Sequence, residues 1–156
     1  MKNETQAIHL AKMMQRHIHT ANYELALPSV MIPRKKLKKL SVDYVLLTGF
    51  DKLEFNLIDK DTICANIQLK QSEKESRFEV TELTKEPIKQ PDSKKYKVLN
   101  FFFGTVKSRG LELGSTIDIT HLDIEKVSLV SEGEIIAEGS LVNVDEEIAI
   151  QIKKVN

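Results

Sequence analysis

Apolar and polar residues alternate with period two over Leu111–Val155. Ile117 and Ile119 alternate with Asp118 and Thr120, Val127 and Leu129 flank Ser128, and Ile148, Ile150 and Ile152 alternate with Ala149, Gln151 and Lys153. Successive side chains on a strand point to opposite faces, so this pattern predicts short strands with one dry and one wet face. Ser131-Glu132-Gly133-Glu134 falls between two of them, where Gly133 can take the positive φ of a tight hairpin turn. A second acidic turn, Asp145-Glu146-Glu147, separates the last two. The signal also occurs over Tyr44–Leu83: Val45-Leu46-Leu47, Leu53 to Ile58, Ile63 to Leu69 and Phe78-Glu79-Val80, with Asp59-Lys60-Asp61 where a turn is wanted.

The N-terminal stretch carries a different period. Ile8, Ala11, Met14, Ile18 and Ala21 recur at spacings of three and four, which predicts an amphipathic helix over about Glu4–Asn22. Asn3 with Gln6 resembles a capping box at its start. Such a helix either covers the β structure that follows or docks in a partner's groove. Pro28 and Pro33 end any helical continuation. Thr84–Lys95, with Pro87 and Pro91 among charged and polar residues, reads as a linker. After it, Tyr96–Val106 is the most apolar strand. Phe101, Phe102 and Phe103 cannot all face one core there, so either both faces of that strand are covered or a phenylalanine meets a partner.

A shift of 72 residues lays Phe55–Leu83 on Val127–Val155 without a gap. Phe55 meets Val127, Leu57 meets Leu129, Ala65 meets Ala137, and Phe78, Val80 and Leu83 meet Ile150, Ile152 and Val155. Identities are few, so the match is one of apolar pattern. Upstream, Leu25-Ala26-Leu27 takes the place of Lys97-Val98-Leu99, in a register uncertain by one residue. The chain thus reads as two copies of one β module that bury their faces against each other.

Composition narrows the function. Lys plus Arg and Asp plus Glu balance at 23 each, so no overall field recruits nucleic acid or an acidic membrane. No apolar run approaches the ~20 residues needed to span a bilayer, and Met1–Met14 has no signal-peptide core. One cysteine permits no intrachain disulfide, and a cytoplasmic protein is expected. Within an apolar run and without an adjacent histidine, Cys64 reads as a small buried filler rather than a nucleophile. His9, His17 and His19 lack the i, i+4 spacing of helical zinc pairs. Pro33–Leu40 (PRKKLKKL) reads as a solvated basic turn or a contact with an acidic neighbour. No phosphate-cradling glycine loop, GxSxG or HExxH occurs, so neither enzyme activity nor a cofactor is expected.

The ordered set Leu111-Glu112-Leu113-Gly114-Ser115-Thr116-Ile117, Val127-Ser128-Leu129-Val130, Gly133 to Val144 and Ile148-Ala149-Ile150-Gln151-Ile152 resembles the SpoA (surface presentation of antigens) domain of the FliN/FliM family. Leu40–Leu46 resembles the same opening in a degenerate first copy, with Asp43 where the glycine belongs and Ile67 at the position of Gly139. Lys107–Glu112 is shorter than the turn of helix the family has there. The resemblance implies a mainly β fold: an N-terminal helix (1–22), a degenerate SpoA-like module (23–86), a linker (87–94) and a SpoA module (95–156), the modules intertwined as a pseudo-dimer. It further implies a non-enzymatic, cytoplasmic component of the flagellar motor-switch C-ring or the type III secretion sorting platform, at the inner face of the bacterial inner membrane. Its partners would be other ring proteins and export-apparatus regulators, with no nucleic acid and only indirect membrane contact. Leu141, Val142 and Val144, with Phe101 and Phe103, are the expected protein-binding residues. The family's acidic response-regulator motif is not visible in Met1–Asn22. An alternative from another class is a small β-barrel receptor of the PilZ type binding a cyclic dinucleotide. Arg34, Lys35 and Lys36 could then serve phosphates, but that family's RxxxR and D/NxSxxG are absent.

Overall fold

A computed structural model of the chain describes residues 21–71, 74, 76–88, 93–119, 122, 123 and 125–156. The strands are β1 (Ala21–Pro33), β2 (Val45–Phe50), β3 (Glu54–Asp59), β4 (Thr62–Gln71), β5 (Ser76–Pro87), β6 (Tyr96–Ser108), β7 (Thr116–Ile117), β8 (Val127–Ser131), β9 (Glu134–Val144) and β10 (Glu147–Val155). A one-turn helix, α1 (Arg34–Leu37), follows β1. The chain is mainly β, built as one open antiparallel sheet in the order β2-β10-β9-β8-β6-β1-β3-β4-β5-β7.

Two expectations change at the boundaries. The helix expected over Glu4–Asn22 lies outside the described residues except at its end, where Ala21 and Asn22 open β1 by pairing with Ser108 and Lys107. Cross-strand pairing overrides a helical period that persists for only two more residues. Thr84–Pro87, read as the start of a linker, complete β5, with Pro87 opposite Thr62 at the strand's last position, where a missing N–H is tolerated. Among the described residues no helix is long and apolar enough to cross a membrane.

The strand order is palindromic. Exchanging β1 with β6, β2 with β7, β3 with β8, β4 with β9 and β5 with β10 reverses the order and leaves it unchanged. The register obeys the same relation. At the centre Leu27 pairs with Phe101, and outward from there Val30↔Leu99 matches Leu25↔Gly104, Ile32↔Lys97 matches Tyr23↔Val106, and Pro33↔Tyr96 matches Asn22↔Lys107. These matches place Leu25-Ala26-Leu27 on Leu99-Asn100-Phe101, two residues from the position the sequence pattern indicates. The displacement arises in the connection after β1: Pro33 corresponds to Lys107 and Asp43 to Gly114, so the stretch that holds α1 is three residues longer than its counterpart. Downstream, the 72-residue spacing holds through the irregularities, since the breaks at Leu57/Ile58 and Asn66/Ile67 have counterparts at Leu129/Val130 and where Ile152 gives way to Lys154.

Two strands pair across the chain rather than with their sequence neighbours. β2 pairs with β10, and β7 pairs with β5. The two crossings share a backbone motif. The Asp43 N–H donates to Ile152 O (2.8 Å) and the Ile152 N–H to Tyr44 O (2.8 Å), while Gly114 N–H donates to Val80 O (2.9 Å) and Val80 N–H to Ser115 O (2.9 Å). Asp43 stands at φ 72° and Gly114 at φ 83°, so Asp43 occupies the left-handed position that its counterpart fills with glycine.

All ten strands contribute to one buried cluster, from Leu25 on β1 and Leu46 on β2 to Ile117 on β7 and Ile152 on β10. Phe55 on β3 sits edge-on to both Phe78 on β5 (5.4 Å) and Phe103 on β6 (5.3 Å), tying the halves together. Each fully buried side chain of this size stabilises the fold by roughly 1.5–3 kcal/mol relative to its exposed state. Cys64, expected as a core filler, is only half-buried and lies outside this cluster, its thiol 3.6 Å from Thr62 O.

A candidate docking edge at β2, β9 and β10

Strand alternation sorts the five expected binding residues. Leu141 pairs with Ile150, which pairs with buried Leu46, so Leu141 faces inward and packs against the core. Val142 points the other way. It pairs with Ala149, which pairs with Leu47; Ala149 is fully buried, so Val142 and Leu47 are what this row presents on the outer face. Leu47 is 57% exposed, and Val45 (39%) and Val144 (37%) flank the row on the same face. Half-buried Val142 and exposed Val144 therefore join a surface patch. Its most exposed member, Leu47, is not among the expected residues, because alternation does not reveal that β2 pairs with β10.

Phe101 offers no docking surface, and Phe103 reaches the surface only where it helps line an open cavity. Phe101 is fully buried opposite Leu27, and Phe103 is buried against Phe55. The residue of the triplet that faces outward is Phe102, half-buried in the lining of an open cavity of about 780 Å³ with Ser128, Val130, Ile135, Glu138 and Lys153. The equivalent surface of the first half is closed by side chains: Asn66 Nδ2 donates to Asn56 Oδ1 (3.2 Å), and Thr81 Oγ1 donates to Asn66 Oδ1 (3.0 Å).

Electrostatics set the patch apart from its counterpart. Around β7, β5 and β4 the positions of Val45, Leu47, Val142 and Ala149 hold Thr116, Asp118, Lys70 and Arg77, and Arg77 pairs with Glu79 at 2.9 Å. Beside the apolar row, Glu147 pairs with Val144 and keeps one carboxylate oxygen, Oε2, shielded from water with no hydrogen-bond partner among the described residues. An acceptor left in that state costs free energy until a donor reaches it. Elsewhere, burial pushes the Tyr23 phenol above its ordinary pKa, and the nearby charges of Cys64 and Asp59 act in the same direction. Among the described residues no group of three or more His, Cys, Asp or Glu is placed to hold a metal ion, and the histidines of the N-terminal stretch lie outside them. No protein-family model matches the chain, and no curated protein matches it either.

Proposed function

We infer that the chain is a non-enzymatic assembly component: two SpoA-like modules interlocked in one polypeptide, which build into a flagellar motor-switch C-ring or a type III secretion sorting platform. The observation that carries this reading is the palindromic sheet with β2 and β7 exchanged between halves. That order supports the intertwined pair that the resemblance implies, and Asp43 stands in the left-handed conformation that Gly114 takes at the matching position. In this reading the apolar edge around Leu47, Val142 and Val144 docks an export-apparatus protein, which also brings a hydrogen-bond donor to Glu147. The protein works in the cytoplasm, at the basal body.

Capture of tagged protein from its native cells should recover ring proteins or an export-ATPase regulator, and recovering none of them would contradict the assembly role. Leu47→Asp should abolish that capture while changing stability by no more than about 0.5 kcal/mol, since the side chain is exposed.

A further inference from the structure

The sequence places two basic runs far apart, Arg34 to Lys39 and Lys94-Lys95, and the fold brings them together. Arg34 N–H donates to Lys95 O (2.9 Å), Arg34 Nη2 donates to Ser93 O (3.1 Å), and Pro33 pairs with Tyr96. The guanidinium of Arg34 lies between the two segments, with Nη2 bonded to Ser93 and the buried Nε without a hydrogen-bond partner among the described residues. Lys35, Lys36, Lys38, Lys39, Lys94 and Lys95 are all exposed, and none has a carboxylate partner among the described residues. In a chain of zero net charge this is a concentrated positive surface.

Beside it lies an apolar strip. Met31 pairs with Val98 two residues from the Pro33↔Tyr96 pair, so all four share the outer face, opposite buried Ile32 and Leu99. Met31 is 56% exposed and Tyr96 43%. We propose that this surface seats directly on the headgroups of an acidic phospholipid bilayer, the lysines over the anionic lipids and Met31 and Tyr96 in the interfacial layer.

The chemistry favours a bilayer over other polyanions. Lysines are compact point charges suited to a diffuse anionic surface, whereas bidentate recognition of single phosphates calls for arginine, and the arginine here is turned inward. A single-stranded nucleic acid would want a series of aromatic platforms, and Tyr96 is one ring. An exposed apolar strip rimmed by lysines is the arrangement that partitions into a headgroup layer. The attachment does not depend on the assembly role above, and its test uses no ring protein.

Co-sedimentation of the full chain with vesicles of mixed phosphatidylglycerol and phosphatidylcholine should show binding at about 0.1 M salt that fades as screening increases. Pure phosphatidylcholine vesicles should not bind. Each lysine near an acidic surface is worth about a factor of five, so Lys35→Glu with Lys36→Glu should weaken binding by more than tenfold at an unchanged circular dichroism spectrum. Met31→Ser with Tyr96→Ser should weaken it severalfold at the same charge. The proposal is overturned if acidic vesicles do not bind, if neutral vesicles bind equally, or if either double variant binds like the parent. Binding to duplex DNA or polyglutamate but not to vesicles would overturn it as well.

Discussion

The two ends of the sheet are the same construction finished differently. At one end β2 closes on β10, at the other β7 closes on β5, and the backbone bonds at Asp43–Tyr44 and Gly114–Ser115 correspond one for one. Inward-facing positions remain apolar at both ends, with Leu46 matched by Ile117 and Ile152 by Val80. Outward-facing positions diverge, apolar around Leu47 and charged around Arg77. Burial holds the inner pattern fixed because a polar group there would lose its water, whereas the outer face is free to follow its partner. A charged face also guards a sheet edge against unwanted pairing, a protection that the β7 end carries and the apolar β2 end lacks.

The comparison can be broken most strongly at its centre. Phe101→Ala should cost about 3–5 kcal/mol and Leu27→Ala about 2–5, read by denaturant unfolding, because the two face each other across the junction of the halves. A stable Phe101→Ala protein that had lost a partner would restore that residue to an interface. Next comes the position that is Ile67 in one half and Gly139 in the other. A Cβ at Gly139 would stand 2.5 Å from Gln151 O and 2.8 Å from Ile150 Cγ2, so Gly139→Ala should cost about 1–3 kcal/mol in an equilibrium melt. Smaller effects are expected at the crossings. Gly114 has nothing within 4 Å of an added Cβ, so Gly114→Ala should show only the left-handed backbone penalty of about 1–2 kcal/mol, while Asp43→Gly should be neutral or slightly stabilising. The smallest is a pH effect with no counterpart, since Lys97 stands where Tyr23 would be repeated. Because the folded-state pKa of Tyr23 is raised, its contribution is fully present below pH ~10 and falls as pH rises through the folded value. A Tyr23→Phe protein should lose less stability over that alkaline range in parallel melts.

The hairpin strands were legible because a dry face enforces period two and tight turns fix the spacing, so β3–β5 and β8–β10 stand out at one constant offset. The exchange of β2 and β7 was not legible, because alternation reveals a strand's faces and not its neighbour. The register of β1 on β6 was hidden by the skipped Pro28-Ser29 and by three consecutive phenylalanines that carry no period. Of the expected docking residues, Val142 and Val144 reached the surface because they sit on a strand read in the correct phase. Alternation puts Phe101 and Phe103 on one face and Phe102 on the other, but three consecutive phenylalanines give no sign of which face is dry.

With β2 on β10 and β7 on β5, neither half of the chain holds all its paired strands alone. This is tested most directly by cutting the chain between Ile88 and Ser93 and producing the two fragments separately and together. Mixed fragments should associate one to one and unfold in a single cooperative transition, while each alone should show none. Either fragment folding alone as a stable monomer with its own sharp transition would contradict the exchange.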